Sequence, residues 1–458
     1  MNNNSNSGLG WLGIFRLGLV QASLGAIVVL ATSTMNRVMV VELAMPAMLP
    51  GFLVALHYVV QVLRPRLGYS SDVGGRRTPW IIGGMALLGL AAVSAAVAID
   101  LMVTSPTLGI ALAVLAFLLI GVGVGTSGTA LLVLMSTHVS PQRRAAAATV
   151  TWLMMIVGFI VTSIVAGASL DPFTPLRLIQ VTASVAATAF VVTTLAVLGI
   201  ERTGVASQAA QDEHAPSFRE ALRQVWSESH SRRLTVFVFI SMVAYSAQDL
   251  ILEPFAGLIY GMTPGESTKL SGVQNTGVLL GMLIVAIICT RASSSQLGSI
   301  RAWTIGGCVG SGLSLLTLAV GGLIGPGWPV AASVFVLGLS NGVFAVGAIG
   351  SMMGMVGTGR RSREGVRMGL WGAAQAIAFA IGGLAATALV DLARWVFDSV
   401  AIAYGLVFAI EAGMFFVASR LAAQVRLREG EGQEDTAEGA SGQDGRIDGQ
   451  YGVQLAGR

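Results

Sequence analysis

The residues best placed to do chemistry are polar side chains stranded in apolar surroundings. Asn36, Arg37 and Glu42 lie at the end of one apolar run, and Gln248, Asp249 and Glu253, followed by Pro254, at the end of another. Asp249 and Glu253 are four residues apart and so share one face of a helix. Two chemistries are open to these groups: a structural ion pair of Arg37 with Asp249 or Glu253, or proton binding at Asp249. His57 lies seven residues from both Pro50 and Arg64, near the middle of its own run. A neutral imidazole at that depth suits the axial position of a magnesium tetrapyrrole, or a hydrogen bond to a neighbouring helix. The stretch Gly68-Tyr69-Ser70-Ser71-Asp72-Val73-Gly74-Gly75-Arg76-Arg77 offers a latch. Asp72 can pair with arginines and helix ends there, while Gly68 and Gly75 permit a tight turn. Gln21, Gln61, Asn275, Asn341, Gln375 and Glu411 are further polar groups in apolar runs and read as helix-joining residues. The sequence has no nucleophile–base motif, phosphate loop or zinc spacing, and the run Gly121 to Gly125 reads as close helix packing. Cys289 and Cys308 both lie in apolar runs and do not read as a structural disulfide.

The elements that must hold these residues follow from composition. Of 458 residues, 54% are hydrophobic and 11% charged, against about 25% charged in an ordinary soluble domain. That balance excludes a soluble enzyme, a nucleic-acid binder and a secreted disulfide scaffold, and calls for a lipid bilayer as the partner. Apolar runs at 17–37, 46–64, 79–99, 108–135, 147–169, 178–200, 234–254, 269–290, 302–324, 329–356, 367–390 and 399–420 predict twelve transmembrane helices. Residues 1–10 are polar and uncharged, without a signal-peptide pattern, so the first run is expected to remain a span.

Orientation follows from the basic residues, which are 26 arginines and the single Lys269. Sixteen arginines, among them Arg76, Arg143, Arg219, Arg291 and Arg360, fall in loops after the even-numbered spans. The opposite loops hold only Arg177, Lys269 and Arg394, with Arg37 close by. The arginine-rich side and both termini are therefore expected to be cytoplasmic. The chain divides into a segment 1–16, a six-helix half 17–200, a linker 201–233, a second half 234–421 and a disordered tail 422–458. Within the linker, Ser217 and Glu220 form a capping box ahead of an amphipathic stretch, which predicts a short interfacial helix. Two halves of 184 and 188 residues joined by a cytoplasmic loop describe the major facilitator architecture. The pairs Arg144–Trp152 and Arg363–Trp371, each eight residues apart, echo the duplication.

The stretch from Gly68 to Arg77 resembles the major facilitator signature between spans 2 and 3, with Val73 where a basic residue is common. The equivalent loop of the second half, 291–301, lacks the aspartate. Thr34-Met35-Asn36-Arg37-Val38-Met39-Val40-Val41-Glu42-Leu43 and Gln248-Asp249-Leu250-Ile251-Leu252-Glu253-Pro254-Phe255 resemble the span-1 and span-7 motifs of the bacteriochlorophyll-delivery family. That family is the PucC and LhaA branch of the superfamily, and the resemblance covers roughly residues 11–425. His57-Tyr58 with Arg64-Pro65-Arg66 points to a subgroup apart from typical PucC and LhaA. The resemblance implies a multi-pass protein of the bacterial inner, intracytoplasmic membrane. It implies a non-enzymatic carrier of bacteriochlorophyll or a precursor, serving light-harvesting or reaction-centre polypeptides, with pigment-synthesis enzymes as further partners. No aspartate pair for prenyl transfer is present. Two alternatives stand beside it: a proton-coupled exporter of a small solute, using Asp249 and Glu253, and a scaffold that docks assembly partners.

Overall fold

A backbone crossing lipid must satisfy its own amides, so apolar runs of this length fold as helices. The computed structural model describes residues 9–61, 76–140, 143–201, 229–291, 299–357 and 364–424, and every regular element among them is helical. In chain order they are α1 Trp11–Glu42, α2 Met48–Gln61, α3 Thr78–Thr104, α4 Pro106–His138, α5 Arg144–Leu170 and α6 Pro175–Val197. The second set is α7 Ser229–Tyr260, α8 Pro264–Arg291, α9 Ile300–Ile324, α10 Val330–Gly357, α11 Glu364–Phe397 and α12 Val400–Gln424. Eleven are long and apolar enough to cross a membrane, while α2 has 14 described residues and is shorter. Each of the twelve expected runs thus has its helix.

Local chemistry sets the helix ends. Proline, whose missing amide costs nothing in a first turn, opens α4, α6 and α8. Thr263 and Glu266 form a reciprocal capping box at α8: the Thr263 amide donates to Glu266 Oε2 at 2.9 Å, and the Glu266 amide to Thr263 Oγ1 at 3.2 Å. Gly261 and Gly325, at φ 67° and 77°, end α7 and α9 in the left-handed region that a side chain would disfavour.

Packing repeats after six helices. In the first half α1 packs on α5 and α6, α3 on α4 and α6, and α2 on α4. In the second, α7 packs on α11 and α12, α9 on α10 and α12, and α8 on α10. The two main seams between halves, α5–α8 and α2–α11, exchange under the same shift. Each half has its own apolar core, yet Leu250 of α7 sits in the first, and Val40 and Ala47 sit in the second. The halves are therefore stitched together around α1 and α7. The glycine run packs as expected: a Cβ at Gly121 would lie 2.6 Å from the His57 carbonyl oxygen, and one at Gly123 2.8 Å from the Leu88 amide. Neither Cys289 nor Cys308 is in a disulfide.

Several helices outrun their predicted lengths, two of them at charges that find partners. The sequence predicts the first span over 17–37, but the helix runs Trp11–Glu42. Arg16 donates to the carbonyls of Ala196 and Leu198 at the end of α6, so it does not break the helix. The eleventh span is predicted to stop at 390 but continues to Phe397, because Asp391 accepts two backbone hydrogen bonds from the α1–α2 connection. The interfacial helix expected near Ser217 and the tail beyond 424 lie outside the described residues.

Candidate functional site

The two polar groups of α1 and α7 meet, and proline is the reason. Pro254 has no amide hydrogen, so the carbonyl of Leu250, one turn earlier, loses its helical donor. Asn36 Nδ2 takes that place, donating to Leu250 O at 2.5 Å, with Asn36 0% and Leu250 3% exposed. On the α1 side, Leu30–Thr34 and Val38–Glu42 are π-helical and flank a short α-helical Met35–Arg37. Such widened turns concentrate at functional sites. An α-helix sets residues five apart about 140° from one another. The wider turn draws Glu42 back, and Arg37 Nη1 donates to Glu42 Oε1 at 2.5 Å.

Arg37 is 2% exposed and lies across α7, where its Nη2 donates to Met262 O at 2.5 Å. Gly257 makes room, since a Cβ there would stand 3.1 Å from Nη2. The ion pair of Arg37 is therefore Glu42, and the expected pairing with Asp249 or Glu253 is corrected: the carbonyl of Met262, past the end of α7, receives the guanidinium's other arm. Glu253 is buried and accepts a hydrogen bond from Ser271 Oγ of α8 at 2.5 Å, within electrostatic reach of Arg37. Thr34 and Thr268 hydroxyls, 3.0 Å apart, add a further contact between α1 and α8.

Asp249 stands apart from this network. Tyr245, one turn earlier, and Glu411 of α12 lie within its electrostatic reach. Tyr245 packs against Phe379 of α11 at 6.0 Å between ring centres, and Phe379 against Tyr58 of α2 at 5.2 Å. These three half-buried rings span the two halves beside the α2–α11 seam. Glu411 and Gln248 are 2% and 0% exposed, and among the described residues no hydrogen-bond partner reaches the Glu411 carboxylate or the Gln248 amide. The helix-joining role holds for Gln21, which donates to Met155 Sδ at 3.2 Å, and for Asn341, which accepts from Ser311 at 2.8 Å. It fails for Glu411, which has no such bond. His57 is 1% exposed, with its Nε2 2.9 Å from Gln61 Nε2 one turn on, so ligation through Nε2 would require that contact to open. No cluster of three or more metal-type ligands occurs among the described residues.

Of the signature loop, Gly68, Asp72 and Gly75 lie outside the described residues. Arg76 is exposed and Arg77 buried just before α3. The amides of Arg77 and Thr78 donate to Glu201 Oε1 and Oε2 at 2.7 and 2.9 Å. Burial pushes the Glu201 carboxyl upward, but the Thr78 and Arg77 amides outweigh it and hold the group below the ordinary glutamate value. Glu201 was invisible as a functional residue in the sequence, as were Asp171 and Asp391. The last two had a signal: Asp171 directly follows the fifth helix of its half and Asp391 lies in the last two turns of the fifth helix of the other, at nearly the spacing that relates Trp152 to Trp371.

Twelve helices with this repeated packing define the major facilitator fold of membrane transporters. Superposition agrees: the D-xylose-proton symporter matches with a TM-score of 0.69 at 14% identity, over 89% of this chain and 96% of that one. The nucleoside transporter NupG matches at 0.64 and 14%, over 90% and 98%. Within that class the chain belongs to the PUCC protein family, whose model matches residues 34–430. It is 52% identical over 422 residues to the "Bacteriochlorophyll synthase 44.5 kDa chain" of Rhodobacter capsulatus, covering 92% of this chain and 97% of that protein. It is 30% identical over 437 residues to Protein PucC of Rhodobacter capsulatus, covering 91% and 93%. The protein is thus a multi-pass membrane protein whose relatives come from photosynthetic bacteria.

Proposed function

We propose that this protein handles bacteriochlorophyll or a precursor in the bilayer and presents it to light-harvesting or reaction-centre polypeptides during assembly. The observation that carries the reading is kinship over nearly the whole chain with a protein named for bacteriochlorophyll synthesis. The residues are compatible with such a ligand. Tyr58, Tyr245 and Phe379 offer half-buried aromatic faces across the halves, suited to a flat and mostly apolar molecule. When bound, the pigment's magnesium supplies an open axial position. His57 and Glu411 are the two candidate donors: His57 by turning from Gln61, Glu411 by oxygens with no hydrogen-bond partner among the described residues. In this reading the protein is not an enzyme, sits in the inner membrane with its arginine-rich loops in the cytoplasm, and works beside pigment-synthesis enzymes.

The test is an absorption spectrum and pigment extraction on protein purified in mild detergent from a pigment-making host. Stoichiometric pigment supports the carrier. A shifted spectrum in His57→Ala or in Glu411→Gln identifies the axial donor. Folded protein without pigment overturns the carrier reading and leaves a docking scaffold or a transporter. A second reading, proton-coupled export of a small solute, draws on Asp249 with Glu411 within its electrostatic reach, and on the symporter fold. It requires flux driven by a pH gradient and abolished in Asp249→Asn.

A further inference from the structure

Seven hydrogen bonds join the two halves toward one end of the bundle, the end with few arginines. Four of these bonds form a matched pair of motifs. Asp171, directly after α5, accepts from Thr263 Oγ1 at 2.8 Å and from the Gly265 amide at 3.2 Å, at the start of α8. Asp391, near the end of α11, accepts from the Ala47 and Met48 amides at 3.0 and 2.8 Å, at the start of α2. In each case a carboxylate from the fifth helix of one half caps the second helix of the other. Free amides and the positive end of the helix dipole both favour a carboxylate there.

Small residues hold the same two seams tight. A Cβ on Gly265 would collide with the Asp171 carboxylate, so only glycine lets that cap form. A Cβ on Gly51 of α2 would stand 3.0 Å from Thr387 Cβ of α11, and one on Gly272 of α8 3.3 Å from Ser163 Cβ of α5. Ser163 and Thr387 are 0% and 1% exposed. Arg37, Asn36 and Thr34 lie between these seams, so the pair brackets the α1–α7 contacts on both sides.

We propose that Asp171 and Asp391 are twin latches that together hold the arginine-poor end of the two halves shut, so that the interior opens only toward the bilayer or the arginine-rich end. The caps differ from ordinary helix capping because each crosses from one half to the other, so opening that end must break both. The latch is independent of which ligand the protein carries.

The test uses cysteine reporters in a background with Cys289→Ser and Cys308→Ser. Thr387→Cys reports the α2–α11 seam and Ser163→Cys the α5–α8 seam. Both thiols are buried while the latches hold, so their rate of reaction with a water-soluble maleimide in membranes measures the open fraction. A lost hydrogen bond to a charged group corresponds to about tenfold in an equilibrium constant. Asp171→Ala and Asp391→Ala should each speed labelling by about tenfold at both seams, and the double variant by about a hundredfold. Unchanged labelling in a double variant that still elutes as folded protein overturns the proposal. So does labelling that rises only at the seam of the altered aspartate. If the double variant fails to fold, the converse is measured: oxidative cross-linking of Gly51→Cys to Thr387→Cys should suppress labelling at Ser163→Cys in the other seam. Persistent labelling there overturns the linkage. No pigment enters these measurements, so they can fail while the carrier reading stands, and the reverse.

Discussion

The pairing of Asn36 with the carbonyl released by Pro254 predicts an unusual rescue. Asn36→Leu keeps the volume of a fully buried side chain but withdraws the donor to Leu250 O. That carbonyl then has neither its helical amide nor Asn36, and a buried orphan acceptor costs about 2 kcal/mol. Pro254→Ala supplies an amide at residue 254, one turn beyond Leu250, and restores an ordinary helical bond. In the Pro254→Ala background Asn36→Leu should therefore cost less than about 0.5 kcal/mol, a coupling of about 1.5 kcal/mol between two residues on different helices. The assay is equilibrium unfolding of the four proteins of this cycle in mixed micelles titrated with a denaturing detergent. Equal costs for Asn36→Leu with proline or alanine at 254 would refute the reasoning. The carbonyl would then have been satisfied some other way.

Three further outcomes follow from the packing and the charges. Gly123→Val should destabilise the protein by about 3 kcal/mol, read as lost thermal stability in detergent, because the new Cβ meets the Leu88 amide at 2.8 Å and the Gly84 carbonyl at 2.9 Å, neither of which can turn aside. Gln248→Met should stabilise the apo protein by about 1 kcal/mol by removing a buried amide with no partner among the described residues; if it also lowers ligand affinity, Gln248 is kept for binding at the expense of stability. Glu201→Gln should lower the melting temperature above pH 4.5, the ordinary value for this carboxyl, and the difference from the parent should vanish as pH falls through the depressed value in the folded state. A difference that grows with acid would show that the carboxylate does not cap α3.

The architecture was legible because lipid leaves so few options. Twelve apolar runs admit one secondary structure, and the equal halves predict the paired contacts that the helices make. The α1–α7 meeting was half legible. Asn36, Arg37, Glu253 and Pro254 could be picked out as polar or helix-breaking residues in apolar runs. Their partners could not, because two of the acceptors are the backbone carbonyls of Leu250 and Met262, which leave no mark on residue type. The expected pairing of Arg37 with an α7 carboxylate failed for a related reason. Helical spacing places Glu42 on the wrong face for Arg37, and only the π-helical turns bring it round. Asp171, Asp391 and Glu201 passed unnoticed because a carboxylate at a span end reads as a solvated boundary, whereas here each one caps a distant helix.

The two widened stretches of α1 carry a consequence for chain length. A bond closing over five residues instead of four accommodates one extra residue without lengthening the helix by a turn. Leu30–Thr34 and Val38–Glu42 thus act as single-residue insertions on either side of Asn36 and Arg37. Removing one residue from the first would let it close as an ordinary turn and leave everything beyond it on nearly the same face, so Asn36 would keep its reach to Leu250. A related chain one residue shorter before its asparagine would lose the widened turn and keep both the motif's spelling and its grip on the opposite half.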